Sequence, residues 1–120
     1  MAHVLVVDDD PLFREIASEI LIRAGHTVSE AENGIHAQAV AQRPDLAVVD
    51  MLMPERDGIE TIADLRARWP EVKLIAVSSG HRGLGPDLLL RTARAMGADA
   101  TLAKPVQPQA LERLVSRLLD

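Results

Sequence analysis

The sequence predicts an α/β fold, a parallel β-sheet covered on both faces by helices. Two observations carry this. Short apolar runs such as Leu46-Ala47-Val48-Val49 end abruptly on a charged or hydroxylated residue, as strands buried on both faces do. Between those runs lie segments with apolar residues at helical spacing, so strand and helix signals alternate along the chain. The 120 residues are read as one domain, 1–120, large enough to bury a core without staples.

The first strand is His3-Val4-Leu5-Val6-Val7, ending on Asp8, Asp9 and Asp10. Pro11 suits the first turn of a helix, where its missing N–H costs nothing. Leu12, Phe13, Ile16, Ala17, Ile20 and Leu21 give that helix an apolar face, and Gly25 closes it. His26 to Ala31 alternates weakly, as an edge strand does. Asn33-Gly34 breaks it, and Ile35 to Gln42 reads as a short helix stopped by Pro44. The third strand runs to Asp50. After the turn Glu55-Arg56-Asp57-Gly58, a helix on Ile59, Ile62 and Leu65 continues to about Arg68, with Trp69-Pro70 at its end.

Val72 to Val77 is the fourth strand, leading to Ser78-Ser79. A glycine-rich loop from Gly80 to Pro86 follows; Gly80, Gly83 and Gly85 do not match a dinucleotide fingerprint. Asp87 to Met96 is read as a helix with Leu88, Leu89, Ala93 and Met96 facing the core and Gly97 beyond it. Ala98 to Ala103 is the fifth strand, ending on Lys104-Pro105. Val106 to Leu119 completes the chain as an amphipathic helix on Leu111, Leu114, Val115 and Leu118. Five such units, joined by right-handed crossovers, predict a doubly wound flavodoxin-like (βα)5 sheet in the order 2-1-3-4-5.

Composition narrows the function. Formal net charge is −5, with 18 acidic against 13 basic residues and no basic cluster, which argues against nucleic acid as a direct partner. Phe13 and Trp69 are the only aromatic residues, so base-stacking platforms and aromatic cages are not expected. Absence of cysteine excludes disulfides and thiolate metal sites. No apolar run approaches a membrane span, and Met1-Ala2-His3 leads directly into a strand without a leader. A soluble, cytoplasmic protein is the expectation.

The strand ends carry the chemistry. Asp8 and Asp9 end the first strand, Asp50 the third, Ser78 the fourth, and Lys104 the fifth. In the expected order the first and third strands adjoin, so three carboxylates converge. Two such charges about 4 Å apart repel by about 4 kcal/mol at an effective dielectric near 20. A cluster of this kind takes up protons or binds a cation, and an all-oxygen set without imidazole or thiolate favours Mg²⁺. A carboxylate beside Mg²⁺ can act as a nucleophile toward phosphorus. Lys104 and Ser78 can then neutralise and hydrogen-bond the transferred group.

Over its whole length the chain resembles the receiver domain of two-component response regulators. The matching pieces are Val4-Leu5-Val6-Val7-Asp8-Asp9-Asp10-Pro11, Asp50-Met51-Leu52-Met53-Pro54-Glu55-Arg56-Asp57-Gly58, Val77-Ser78-Ser79, Gly97-Ala98-Asp99 and Lys104-Pro105. The resemblance implies that Asp50 accepts a phosphoryl group from a phosphohistidine on a sensor kinase or phosphotransfer protein. It implies Mg²⁺ held by Asp9 and Asp50, with help from Asp8 and the backbone carbonyl of Leu52. Ser78 takes the family's switch position and Lys104 its lysine, before a bond that is often cis. The face formed by the fourth helix, fifth strand and fifth helix is where such domains commonly dimerise or meet targets. A stand-alone receiver, signalling by protein contact and catalysing only its own phosphorylation and dephosphorylation, is expected.

The sequence departs from the family in three places. Thr101 stands three residues before the lysine, where many receivers carry Tyr or Phe. The loop between Ser79 and Leu88 is longer than in compact receivers. Leu52 and Gly80 occupy the positions that tune phosphoryl lifetime, and neither side chain can hydrogen-bond an attacking water, so slow self-dephosphorylation is expected. Two competing readings remain at this stage: a small phosphatase of the haloacid dehalogenase type using Asp8-x-Asp10, and a pseudo-receiver that binds partners without phosphorylation.

Overall fold

The computed structural model describes residues 2–51, 58–78 and 86–120, with the backbone alone for residues 38 and 86–89. Its elements run β1(His3–Val7), α1(Pro11–Arg23), β2(Thr27–Ala31), α2(Gly34–Gln38), β3(Leu46–Asp50), α3(Gly58–Arg68), β4(Lys73–Ser78), α4(Pro86–Ala95), β5(Ala100–Ala103) and α5(Pro108–Leu119). All pairings are parallel and the sheet order is β2-β1-β3-β4-β5, the predicted flavodoxin-like arrangement.

The continuous apolar runs have a simple cause. Successive strand residues point to opposite faces, and both faces are covered. Leu5, Val7, Ala47, Val49, Leu74 and Ala76 pack under α2, α3 and α4, against Ala37, Ile62, Leu65 and Ala93. Val4, Val6, Leu46, Val48, Ile75 and Val77 pack under α1 and α5, against Ala17, Leu21, Leu111, Leu114 and Val115. Each fully buried Val or Leu contributes about 1.5–3 kcal/mol. Trp69 is half-buried against the first layer, with the Arg68 guanidinium 4.2 Å above its ring.

The helix ends follow side-chain chemistry. Asp10 caps α1, its carboxylate accepting the Leu12 N–H at 3.0 Å, with Pro11 in the first turn. Asn33 caps α2 by accepting from the His36 N–H at 2.9 Å. Gly25 and Gly97 take φ values of +97° and +114° after α1 and α4, a region costly for other residues. Acids at the other ends of the strands stitch the sheet. Asp45 accepts the His3 N–H at 2.8 Å, and Asp99 accepts the Leu74 N–H at 2.8 Å while pairing with Arg66. Among the described residues no helix is long and apolar enough to cross a membrane.

Several expectations need correction. Leu12 and Ile16 are 61% and 47% exposed rather than packed, while Ser18 is buried on that helix in their place. Met96 is 47% exposed, and Leu90 fills the core position from α4. The second helix ends at Gln38 instead of Gln42. There the Ala39 and Val40 N–H groups bond to His36 and Ala37, three residues back, and Val40 turns into the core. The fifth strand starts at Ala100, since Ala98 is still bonded to the end of α4 through the Ala93 carbonyl. The side chains of Leu88 and Leu89 and the loop from Gly80 to Gly85 lie outside what is described.

Gly58 is the first residue of α3 rather than a turn residue, and it is pressed against the end of β3. A Cβ there would lie 2.5 Å from Met51 Cα and 2.6 Å from the Asp50 carbonyl oxygen. Its own N–H bonds to the Met51 carbonyl at 3.3 Å. Gly58→Ala is therefore expected to lower stability by about 1–3 kcal/mol, read as a lower midpoint in urea unfolding.

Candidate functional site

Parallel pairing of β1 with β3 sets Val7 beside Val49, so the residues that follow, Asp8 and Asp50, leave the sheet as neighbours. Asp8 is fully buried, and its groups are engaged. Its Oδ1 accepts the Asp10 N–H at 2.9 Å, and its Oδ2 accepts from Lys104 Nζ at 2.8 Å. Its backbone carbonyl accepts from Arg14 Nη1 at 2.7 Å, and Arg14 is held in turn by Glu30 on β2. Asp50 ends β3 and is 5% exposed, with its Oδ2 3.8 Å from Lys104 Nζ. Asp9 is exposed. One carboxylate oxygen from each of Asp8, Asp9 and Asp50 lies within 4.8 Å of the other two.

Ser78 ends β4, fully buried, and its carbonyl accepts the Lys104 N–H at 2.9 Å, tying β5 to the same edge. The Lys104–Pro105 peptide is cis, as the resemblance implied. Lys104 Nζ also sits 4.7 Å above the Phe13 ring of α1. The site therefore gathers Asp8, Asp9, Asp50, Ser78 and Lys104, while Leu52 lies outside the described residues.

Sequence reasoning missed three contributors. Asp10 stood among the strand-end acids, yet its carboxylate is spent on capping α1; an acid directly before Pro and an apolar helical run was the signal. Arg14 steadies the Asp8 carbonyl, and a lone arginine on a helix carries no signal for this. Gly58 clears the space behind Asp50, which only the packing reveals.

Burial on its own would lower the pKa of Lys104. The hydrogen bond to Asp8 and the charges of Asp50, Asp8 and Asp10 outweigh it and hold the ammonium above its ordinary value. Three carboxylates still face one ammonium, so the pocket stays negative.

The profile of the response regulator receiver domain matches residues 4–116. The chain belongs to the response regulator receiver domain family. This receiver is 32% identical to the chemotaxis protein CheY of Bacillus subtilis, covering 100% of both chains. It is 32% identical to that of Halobacterium salinarum, over 98% of this chain and 96% of the relative. Among solved structures, Vibrio cholerae chemotaxis protein CheY4 superposes with a TM-score of 0.86 at 30% identity, covering 99% of each chain. The receiver domain of NtrX from Brucella abortus gives 0.88 at 27% identity, covering 97% of each. The chain is thus a phosphoacceptor signalling domain of the two-component type and not a conventional enzyme.

Because Asp8 is fully buried, removing its cation strands a carboxylate. Lys104→Met is expected to cost about 3 kcal/mol in metal-free buffer. With a folded-state pKa above the unfolded one, the lysine's contribution is complete below its ordinary value and lost as pH rises through the raised one. Urea midpoints measured in EDTA across the alkaline range should fall in the native protein and lose that component in the variant.

Proposed function

We propose that Asp50 is the phosphoacceptor, taking a phosphoryl group from a phosphohistidine on a sensor histidine kinase or histidine phosphotransfer protein. The observation that carries this is the meeting of three carboxylates and one ammonium at a single sheet edge. An Asp50 oxygen bonds to phosphorus as the phosphorus–nitrogen bond to imidazole breaks, and the imidazole leaves with a proton from solvent. Asp8 is poorly suited to that attack, since both its oxygens are already hydrogen-bonded. The phosphatase reading fares no better, because Asp10 is committed to its helix cap.

The donor set fits Mg²⁺: all oxygen, closely spaced, and with negative charge in excess of the lysine. Asp8, Asp9 and Asp50 would hold it, joined by the Leu52 carbonyl that the resemblance implies. When bound, the ion neutralises charge on the transferred group. Lys104, already within 3.8 Å of Asp50, offers a second positive charge to the new phosphoryl oxygens. Ser78, at the end of β4, would donate its hydroxyl to the phosphoryl group, and the change would pass to α4, β5 and α5.

Donor access has a physical basis too. Beside Lys104 lies a hollow of about 410 Å³ lined by Leu12, Phe13, Ile16, Pro105 and Val106. The exposure of Leu12 and Ile16, unexplained by the fold, suits an apolar helical face carrying the phosphohistidine.

Incubation with acetyl phosphate and Mg²⁺ is expected to add one phosphoryl group by intact mass, and Asp50→Asn to abolish it. Labelling retained by Asp50→Asn but lost in Asp8→Asn would support the phosphatase reading instead. Leu12→Ser with Ile16→Ser is expected to slow transfer from a phosphorylated histidine phosphotransfer protein about tenfold, leaving the acetyl phosphate rate unchanged.

A further inference from the structure

β2 lies at the edge of the sheet beside β1 and supplies none of the five residues gathered at the acidic end, yet it braces the turn that carries two of them. The Asp8 N–H donates to the Ala31 carbonyl at 3.0 Å, and the Asp8 carbonyl accepts from Arg14 Nη1 at 2.7 Å. Arg14 Nε donates in turn to Glu30 Oε1 at 3.3 Å. Val28 packs on the α1 and α5 side of the sheet, so strand alternation turns Glu30 toward α1 as well. One guanidinium thus spans the β1–α1 turn and β2. The Asp8 carbonyl belongs to the same planar peptide as the Asp9 N–H, so holding it fixes the plane from which the Asp9 side chain departs. Asp9 is exposed, and packing does little to orient it.

We infer that Arg14, held by Glu30, is a positioning residue for divalent-cation binding, setting the Asp8–Asp9 peptide so that Asp9 reaches the carboxylates of Asp8 and Asp50. The inference rests on the receiver reading and adds to it a part that lends no ligand. Charge alone argues the other way. A guanidinium bonded to the backbone of a three-carboxylate cluster repels an incoming cation, and its removal would then tighten binding. Glu30 offsets that charge, while the planar fork keeps its hold on the carbonyl. The sign of the change on substitution therefore separates positioning from electrostatics.

The test is a titration of the full chain with Mg²⁺ alone, followed by ¹⁵N NMR under conditions where every variant is folded. Arg14→Ala should weaken Mg²⁺ binding about tenfold. In EDTA the same variant should show lower ¹⁵N order parameters at Asp9 and Asp10, a change that a general loss of stability would not confine to this turn. Arg14→Lys keeps a charged donor but not the fork, and should recover part of the affinity. Glu30→Gln should weaken binding about threefold in the native background and not at all in Arg14→Ala. Equal or tighter Mg²⁺ binding by Arg14→Ala, or an unchanged turn in EDTA, would overturn the inference alone. A native chain that bound no Mg²⁺ would overturn the metal assignment with it.

Discussion

The 2.8 Å bond between Lys104 and Asp8 is the interaction on which the rest of the site depends. Parallel pairing forces the ends of β1 and β3 together, and with them acids that repel at close range. An ammonium carried just after β5, at the edge of the sheet, comes to lie 2.8 Å from the fully buried Asp8 carboxylate. Desolvation works against the lysine's charge, and the direct hydrogen bond to Asp8 with the field of Asp50, Asp8 and Asp10 outweighs it. Because one ammonium cannot balance three carboxylates, the pocket keeps an appetite for further positive charge.

Much of this was legible in the sequence because it depends on strands covered on both faces. Val4 to Val7 and Leu46 to Val49 must be apolar at every position, so the first polar residue marks the point where each strand leaves the core. The order of the strands then brings Asp8, Asp9, Asp50, Ser78 and Lys104 to one edge without any detailed geometry. What escaped depends on packing between elements distant in sequence. Helical spacing identified an apolar face on α1, yet could not tell that Leu12 and Ile16 lie beyond the cover of α5. Gly58 looked like turn chemistry, since nothing local reveals that Met51 and Asp50 crowd its missing side chain. Nor does the helical spacing through Gln42 show that α2 stops at Gln38 and leaves Val40 partly buried against the core.

Acids beside strands serve two purposes here, distinguished by which end they occupy. Asp45 and Asp99 sit near the strand starts, and each accepts a backbone N–H from a neighbouring strand. They act as staples between neighbouring strands, and Asp99 also pairs with Arg66. Asp8 and Asp50 sit at strand ends, where parallel strands point their termini toward a common crevice. Direction along the strand therefore separates the stapling Asp45 and Asp99 from the clustered Asp8 and Asp50, although composition treats them alike.

Two hollows open on opposite layers of the molecule. The apolar one beside Lys104 lies between α1 and the start of α5, and the basic one lies on α4. β5 borders both, lending Thr101 to one and continuing into Lys104 and Pro105 at the other. The hollow on the α1 side is lined mostly by apolar side chains, while the one on α4 is lined by the exposed Arg91 and Arg94. The four residues of β5, Ala100–Ala103, join these two faces of the molecule.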